Sequence, residues 1–228
     1  MRYLIAETSW NMISLAQNLA TSGTLLSRAE CVEDIPQYLQ FGQSDLVIIE
    51  ADQLESGKLS LNQLRNLRDE ISIAIIAPNP SRAELVKWLD AGADTVINTD
   101  APFAESQARL QAVVRRVHHL GVPEASHGPL RLDLKARRAY LSGCPLKLSP
   151  KIYELLEYIA LRPGRLVSRD ELLTHVYGLE DEPDGRVFDV YVCNLRACLK
   201  PVKDQIEIET VRGSGFRLKL LQEPSIAA

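Results

Sequence analysis

Five short strand candidates punctuate the first 120 residues, at 3–6, 27–31, 46–49, 71–77 and 95–98, and those at 3–6, 46–49 and 71–77 are almost wholly apolar. All five are too short for a helix, and those three are too uniformly apolar for a strand with one face in water. Between them lie amphipathic stretches. Residues 12–22 place Ile13, Ala16 and Ala20 at helical spacing, and 81–91 do the same with Leu85, Val86 and Leu89. Residues 32–41 and 104–119 read as further helices. Strands buried on both faces pair in parallel, and parallel pairing needs long crossovers, usually helical. The pattern predicts a flavodoxin-like, doubly wound α/β domain over residues 1–120.

The second half changes character. Residues 121–129 hold Gly121, Pro123, Ser126, Gly128 and Pro129 without apolar periodicity, and are expected to form a linker. Short strands follow at 130–134, 138–141 and 145–148, with Ser142-Gly143 turning between two of them. Pro150 after Ser149 suits the first position of a helix, with Ile152, Leu155, Leu156 and Ile159 on its apolar stripe and Pro163-Gly164 as its stop. Ser168 with Glu171 makes a capping box for a second helix, whose inner face is Leu172, Leu173 and Val176. A loop at 177–185 carries acids and Pro183, a third helix covers 186–200, and 206–210 with 215–221 read as a hairpin. Strands, three helices and a terminal hairpin over 130–222 predict a winged helix-turn-helix, an α+β domain behind the α/β one.

Composition narrows the function. Charged residues make up 25% of the 228-residue chain, which is ordinary for a globular protein. No apolar run approaches the roughly 18 residues of a membrane span, and the N-terminus reads as a strand rather than a signal peptide. Cys31, Cys144, Cys193 and Cys198 form no CxxC, so neither a disulfide framework nor a zinc knuckle is expected, and a reducing cytoplasm is the simplest compartment. Cys193 and Cys198 would stand roughly 140° apart around a helix, a poor spacing for one metal, and adjacent His118 and His119 do not share a helix face. No GxSxG, HExxH, P-loop or GxGxxG occurs, so no enzyme, metal or cofactor is expected. Charge is uneven. Residues 1–120 hold ten Lys/Arg against fifteen Asp/Glu, net −5, and residues 121–228 hold sixteen against fifteen, net +1. Within 185–219 seven Lys/Arg face four Asp/Glu, net +3, which points to an acidic partner for the second half.

Three strings then carry a resemblance: LSPKIYELLEYIALRPGRLVSRDELL, RVFDVYVCNLRACL and TVRGSGFRL. Together they resemble the OmpR/PhoB family of response regulators. The first half fits in register, through an acid after the first strand, DLVIIE at the third and GAD before the fifth. The resemblance implies DNA-binding transcriptional control, with double-stranded DNA as partner and RNA polymerase as a candidate further one. The last helix of a helix-turn-helix lies in the major groove. On the third helix Phe188, Val192, Leu195 and Leu199 form one buried stripe, and the opposite face carries Arg186, Val190, Cys193, Asn194 and Ala197, flanked by Asp189 and Arg196. Arg and Asn suit guanine and adenine edges. Cys193 and Asn194 stand where the family commonly has basic residues, so specificity is expected to rest on few contacts plus apolar contact with thymine methyls, with Arg196 on a phosphate. The tip Arg212-Gly213-Ser214-Gly215 resembles the family's wing, which implies Arg212 in the minor groove and Arg217 on a phosphate. Phe216 is expected in the core.

The phosphorylation chemistry of a receiver resembling this one needs two acids, a phosphoacceptor Asp, a Ser or Thr, and a Lys around Mg²⁺. Here Glu7 keeps the first acid, Thr8 replaces the second, Glu50 stands at the phosphoacceptor position, Ala77 at the hydroxyl position and Thr99 at the Lys position, with Asp100 beside it. Val96 replaces the usual switch aromatic. These departures predict a receiver without Mg²⁺ binding or aspartyl phosphorylation. Glu50 is open to two readings, a carboxylate placed near a phosphate's position or a solvated acid at a strand end. The resemblance also implies a homodimer through the fourth helix, fifth strand and fifth helix, where Asp94, Glu105 and Arg109 match, Thr95 replaces a usual Asp, and Lys87 is the available cation on the fourth helix. The rival expectation is a pseudo-receiver whose main task is binding another protein, with weak DNA contact.

Overall fold

A computed structural model of the chain describes residues 1–68, 70–179 and 183–221. The acidic part of the expected loop, 180–182, and residue 222 at the end of the expected second domain lie outside these. The chain divides into two compact units, Met1–His119 and Leu120–Ala228.

The N-terminal unit is a five-stranded parallel sheet. Its strands are β1 (Arg2–Ala6), β2 (Leu25–Ala29), β3 (Leu46–Glu50), β4 (Ser72–Ala77) and β5 (Thr95–Asn98), in the order β2-β1-β3-β4-β5. Among the described residues five α-helices connect them, α1 (Trp10–Thr21), α2 (Ile35–Phe41), α3 (Ala51–Glu55), α4 (Leu61–Leu67) and α5 (Arg82–Asp90), and α6 (Phe103–Val117) follows β5. Alternate residues of the central strands feed opposite faces. Leu4, Val47, Ile49, Ile73 and Ile75 pack with Ile35, Leu64 and Trp88, while Ile5, Leu46, Ile48 and Ala74 pack with Met12, Leu19, Leu110 and Val114. Cores on both faces are the reason the central strands β1, β3 and β4 read as nearly unbroken apolar runs. The order reverses between β1 and β3, and in such sheets that crevice at the carboxyl ends is where ligands sit.

Two elements of this unit were not legible as helices. α3 is only five residues long, and α4 only seven. A capping box did mark α4, with Ser60 accepting from the Gln63 N–H while the Gln63 side chain accepts from the Ser60 N–H.

The C-terminal unit opens on a four-stranded antiparallel sheet, β6 (Glu124–His127), β7 (Leu130–Asp133), β8 (Arg138–Leu141) and β9 (Cys144–Pro145). β6 corrects the linker expected at 121–129. It buries only Ala125, so it has no apolar signature, and backbone pairing with β7 defines it. β9 likewise starts and ends earlier than the strand expected at 145–148. The helices α7 (Pro150–Ala160), α8 (Arg169–Tyr177) and α9 (Val187–Leu199) follow. Every residue of α7 from Ile152 to Ala160 is buried, including Glu154, which pairs with Arg137 at 3.1 Å. α7 is therefore covered on all sides, and it contacts α8, α9 and the last strand, β12 (Gly215–Leu220).

β12 pairs antiparallel with β11 (Ile206–Val211) to make the expected hairpin. A third strand, β10 (Val167–Ser168), pairs on the other side of β12, matching Val167 to Phe216 and Ser168 to Gly215. Two residues carry no periodicity to read. Gly215 makes the pairing possible. Its φ is +150°, and a Cβ there would lie 1.9 Å from the Val167 carbonyl oxygen. Phe216 is buried, as its position suggested.

This geometry separates two glycines of one turn. Gly215→Ala should destabilise the C-terminal unit by on the order of 3 kcal/mol, because backbone must move. Gly213→Ala, with φ +74° and nothing within 4 Å, should cost roughly 1–2 kcal/mol for backbone conformation alone. Both tryptophans, Trp10 and Trp88, lie in the N-terminal unit. Calorimetry should therefore show one transition shifted in each variant while the tryptophan fluorescence transition stays in place.

Candidate nucleic-acid interface and the acidic end of the parallel sheet

On α9 the apolar positions at i, i+4, i+7 and i+11 turn inward, with Phe188, Val192, Leu195 and Leu199 buried. The outward face then presents Arg186, Val190, Cys193, Asn194 and Ala197, all exposed. α8 precedes α9 in the unit, and its capping box is formed as Ser168 and Glu171 require. Arg169, the first residue of α8, ties the two helices together. Its guanidinium donates to Asp189 at 2.7 Å and lies 4.9 Å from the centre of the Phe216 ring.

The cations of this surface fall into two groups. Arg196 donates through Nε to the Ile208 carbonyl at 2.8 Å and through a terminal nitrogen to Thr210 Oγ1 at 2.7 Å, so it braces α9 against β11. Arg217 donates to Glu209 at 2.9 Å, and Lys219 reaches the same carboxylate at 3.1 Å. Those two hydrogen bonds, Arg217 first, hold the Glu209 carboxyl below its usual range, so it stays ionised at neutral pH and releases its partners only in acid. Arg186 has only a loose pair with Asp184, at 3.9 Å, and its side chain is 88% exposed. Arg212 and Ser214 are exposed at the hairpin tip.

At the carboxyl end of the parallel sheet, Glu50 closes β3 and is buried. The Ser9 hydroxyl donates to Glu50 Oε1 at 2.8 Å, and the Thr8 hydroxyl donates to Oε2 at 3.2 Å. Ser9 is also the N-cap of α1, accepting from the Met12 N–H at 3.3 Å. Glu50 thus fastens β3 to the start of α1. Glu7 pairs with Arg28 at 2.9 Å. Ala77 is buried at the end of β4 and accepts at its carbonyl from the Thr99 N–H at 3.0 Å. Val96 packs against the core. This donor set does not suit a hard divalent cation, which needs several carboxylate oxygens. One carboxylate faces a guanidinium, the other accepts from two hydroxyls, and among the described residues no group of three or more His, Cys, Asp or Glu is placed to hold a metal.

Comparison with known proteins fits these shapes. The family described as transcriptional regulatory protein, C terminal, matches residues 143–218. The response regulator protein PmrA of Pseudomonas aeruginosa is 33% identical over 159 residues, covering 68% of this chain and 70% of PmrA. The phosphate regulon transcriptional regulatory protein PhoB of Escherichia coli is 30% identical over 179 residues, covering 76% and 77%. The transcriptional regulatory protein BasR of Escherichia coli is 28% identical over 225 residues, covering 98% and 100%. The chain belongs to the OmpR/PhoB family of response regulators. It is a DNA-binding transcriptional regulator of that type, with the N-terminal unit in the place of the receiver.

Of the receiver residues expected at an interface between copies, Asp94, Glu105 and Arg109 line one cleft of about 600 Å³ together with Leu85, Leu89 and Val96. Each already has a partner within the chain. Asp94 accepts from Arg65 and from the Ile73 N–H, both at 2.7 Å, and Arg109 pairs with Glu105 at 2.8 Å. Arg65 escaped the sequence reading, because nothing local marks an Arg on α4 as the partner of an Asp some thirty positions away. The same is true of Arg28 and Ser9 beside the receiver's acids.

The tie between Glu50 and α1 has a measurable weight. Glu50→Ala should lower the stability of the receiver by about 1–3 kcal/mol, the range for hydrogen bonds to a charged acceptor. In a double-mutant cycle with Ser9→Ala the two losses should be less than additive. Denaturant unfolding followed by tryptophan fluorescence reads this unit alone.

Proposed function

We propose that this response regulator binds specific double-stranded DNA without aspartyl phosphorylation, as a homodimer joined through its receiver. The observation that carries the first part is the engagement of Glu50. Thr8 and Ser9 occupy the carboxylate at the phosphoacceptor position, Arg28 supplies the cation beside Glu7, and Ala77 and Thr99 leave no hydroxyl-and-lysine pair to stabilise phosphoryl oxygens. The role is binding rather than catalysis, in the cytoplasm, and RNA polymerase is the candidate protein partner.

DNA would be held by α9 in the major groove and by the β11–β12 wing beside it, the docking of winged helix-turn-helix proteins. Arg186 and Asn194 are placed for base edges, and Arg212 for the minor groove or a phosphate. Arg217 and Arg196 support the surface through their hydrogen bonds to Glu209, Ile208 and Thr210. For the dimer, the cleft of Asp94, Glu105 and Arg109 is lined also by the exposed apolar side chain Leu89, and Val86 and Lys87 on the same helix α5 are exposed. The engaged state of Arg169, Arg196 and Arg217 favours one rival, a regulator that chiefly binds another protein and touches DNA weakly, because few free cations then face the nucleic acid.

Fluorescence anisotropy on an enriched DNA site, across several salt concentrations and with or without a small phosphodonor, tests the proposal. The expected result is specific binding that the phosphodonor does not change. Arg212→Ala should flatten the salt slope by roughly one unit. A tighter complex after phosphodonor treatment, with a new species on a phosphate-affinity gel, would overturn phosphorylation independence. A shallow slope without sequence preference would favour the protein-binding rival.

Light scattering tests the dimer. At tens of micromolar the wild-type chain should be dimeric without any activator, and Arg109→Glu, which sets two acids together at 105 and 109, should be monomeric.

A further inference from the structure

The tertiary contacts of α9 decide which of its side chains are left to read bases. Arg196 is one of two arginines on or beside the exposed face, and the Ile208 carbonyl and Thr210 hydroxyl hold it. Asp189, on the other flank, is held by Arg169. What remains along the face is Arg186 at the N-cap, then Val190, Cys193, Asn194 and Ala197. This strip has one amide, one thiol, two aliphatic side chains and a single charge at its start, Arg186, loosely paired with Asp184. Val190 is 60% exposed, although the helix has a fully buried stripe for its apolar residues.

The major groove offers chemically distinct partners for each of these. A bidentate Arg selects guanine, Asn selects adenine through N6 and N7, and an aliphatic group selects the C5-methyl of thymine. Val190 and Asn194 are four residues apart, so they lie on the same face about 6 Å apart along the helix axis. That is close to two base-pair steps of 3.4 Å along the strand. Neither a second free Arg nor a Lys stands among the central positions of the strip to favour guanine.

Resting on the DNA-binding reading above, we infer that each half-site has an A·T core, in which Val190 covers a thymine methyl and Asn194 reads an adenine within about two base pairs of it, with guanine read only at the Arg186 end. Val190 is the specificity-determining residue that this adds. Its exposed isopropyl group gains burial when DNA docks on this face, and most where a methyl group meets it.

The test uses the full-length chain. Enrichment from randomised duplexes gives the site, and each thymine of the half-site is then replaced in turn by deoxyuridine, which lacks only the methyl group. At one position the replacement should weaken the wild type about threefold to fivefold, as expected for one buried methyl-sized group. In Val190→Ala the same replacement should have almost no effect, which makes the cycle strongly non-additive. Val190 is exposed, so the variant should fold as the wild type does, and its unchanged circular dichroism spectrum and salt slope confirm that. An enriched core dominated by G·C pairs, or a deoxyuridine effect as large in Val190→Ala as in the wild type, would overturn the inference while leaving specific DNA binding intact. Failure to enrich any sequence would overturn the DNA-binding reading and the inference with it.

Discussion

The backbone of Gly215 lies so close to the Val167 carbonyl that no side chain fits between them. Much of the C-terminal unit depends on that approach. It lets β10 pair with β12, and Ser168, the second residue of β10, is also the N-cap of α8. The wing is therefore joined through backbone to the start of α8. From there Arg169 reaches Asp189 on α9, and Arg196 returns from α9 to β11. The circuit fixes the wing, the first helix of the motif and its recognition helix as one constellation. Binding surfaces built on such braced elements lose little freedom when they meet a partner, and so conserve affinity.

Arg196 and Arg217 show how tertiary context reassigns a residue. Arg is suited equally to a phosphate, a guanine edge and a backbone carbonyl. Arg196 could have served any of these from its place on the helix flank. The Ile208 carbonyl and Thr210 hydroxyl lie within reach of its fork, and the guanidinium binds both. Arg217 meets Glu209 directly across the hairpin, where opposite charges on facing strands attract. The outward face of α9 is left more apolar and less charged than its composition suggests.

In the N-terminal unit, Glu50 and Glu7 find their partners within the protein itself. A buried carboxylate needs hydrogen bonds or a counter-charge. Ser9 and Thr8 supply the first to Glu50, and Arg28 supplies the second to Glu7. These partners come from β2 and from the start of α1, the elements that flank the crevice where the strand order reverses. Glu50 thereby acts as a structural link between β3 and α1, buried rather than solvated at its strand end.

By itself, the sequence determined the class of both units. Unbroken apolar runs between amphipathic stretches admit little besides a parallel sheet covered on both faces, and the capped helices followed by a hairpin specified the winged helix-turn-helix. Those signals are local and periodic, so they survive without a structure. It also determined which side chains of α9 point outward, because a 3.6-residue period fixes the opposite face once the apolar stripe is known. Only the tertiary structure decided the rest. β10 is two residues long and β6 buries a single alanine, so neither has a pattern, and each exists because a neighbouring strand offers its hydrogen bonds. The pairs Arg65–Asp94, Arg28–Glu7 and Arg196–Ile208 join residues distant in the chain, and charge alone does not say which partner a long, flexible side chain will find. Which arginines remain free for DNA is thus a property of packing, set by where strands bring carbonyls and carboxylates within reach.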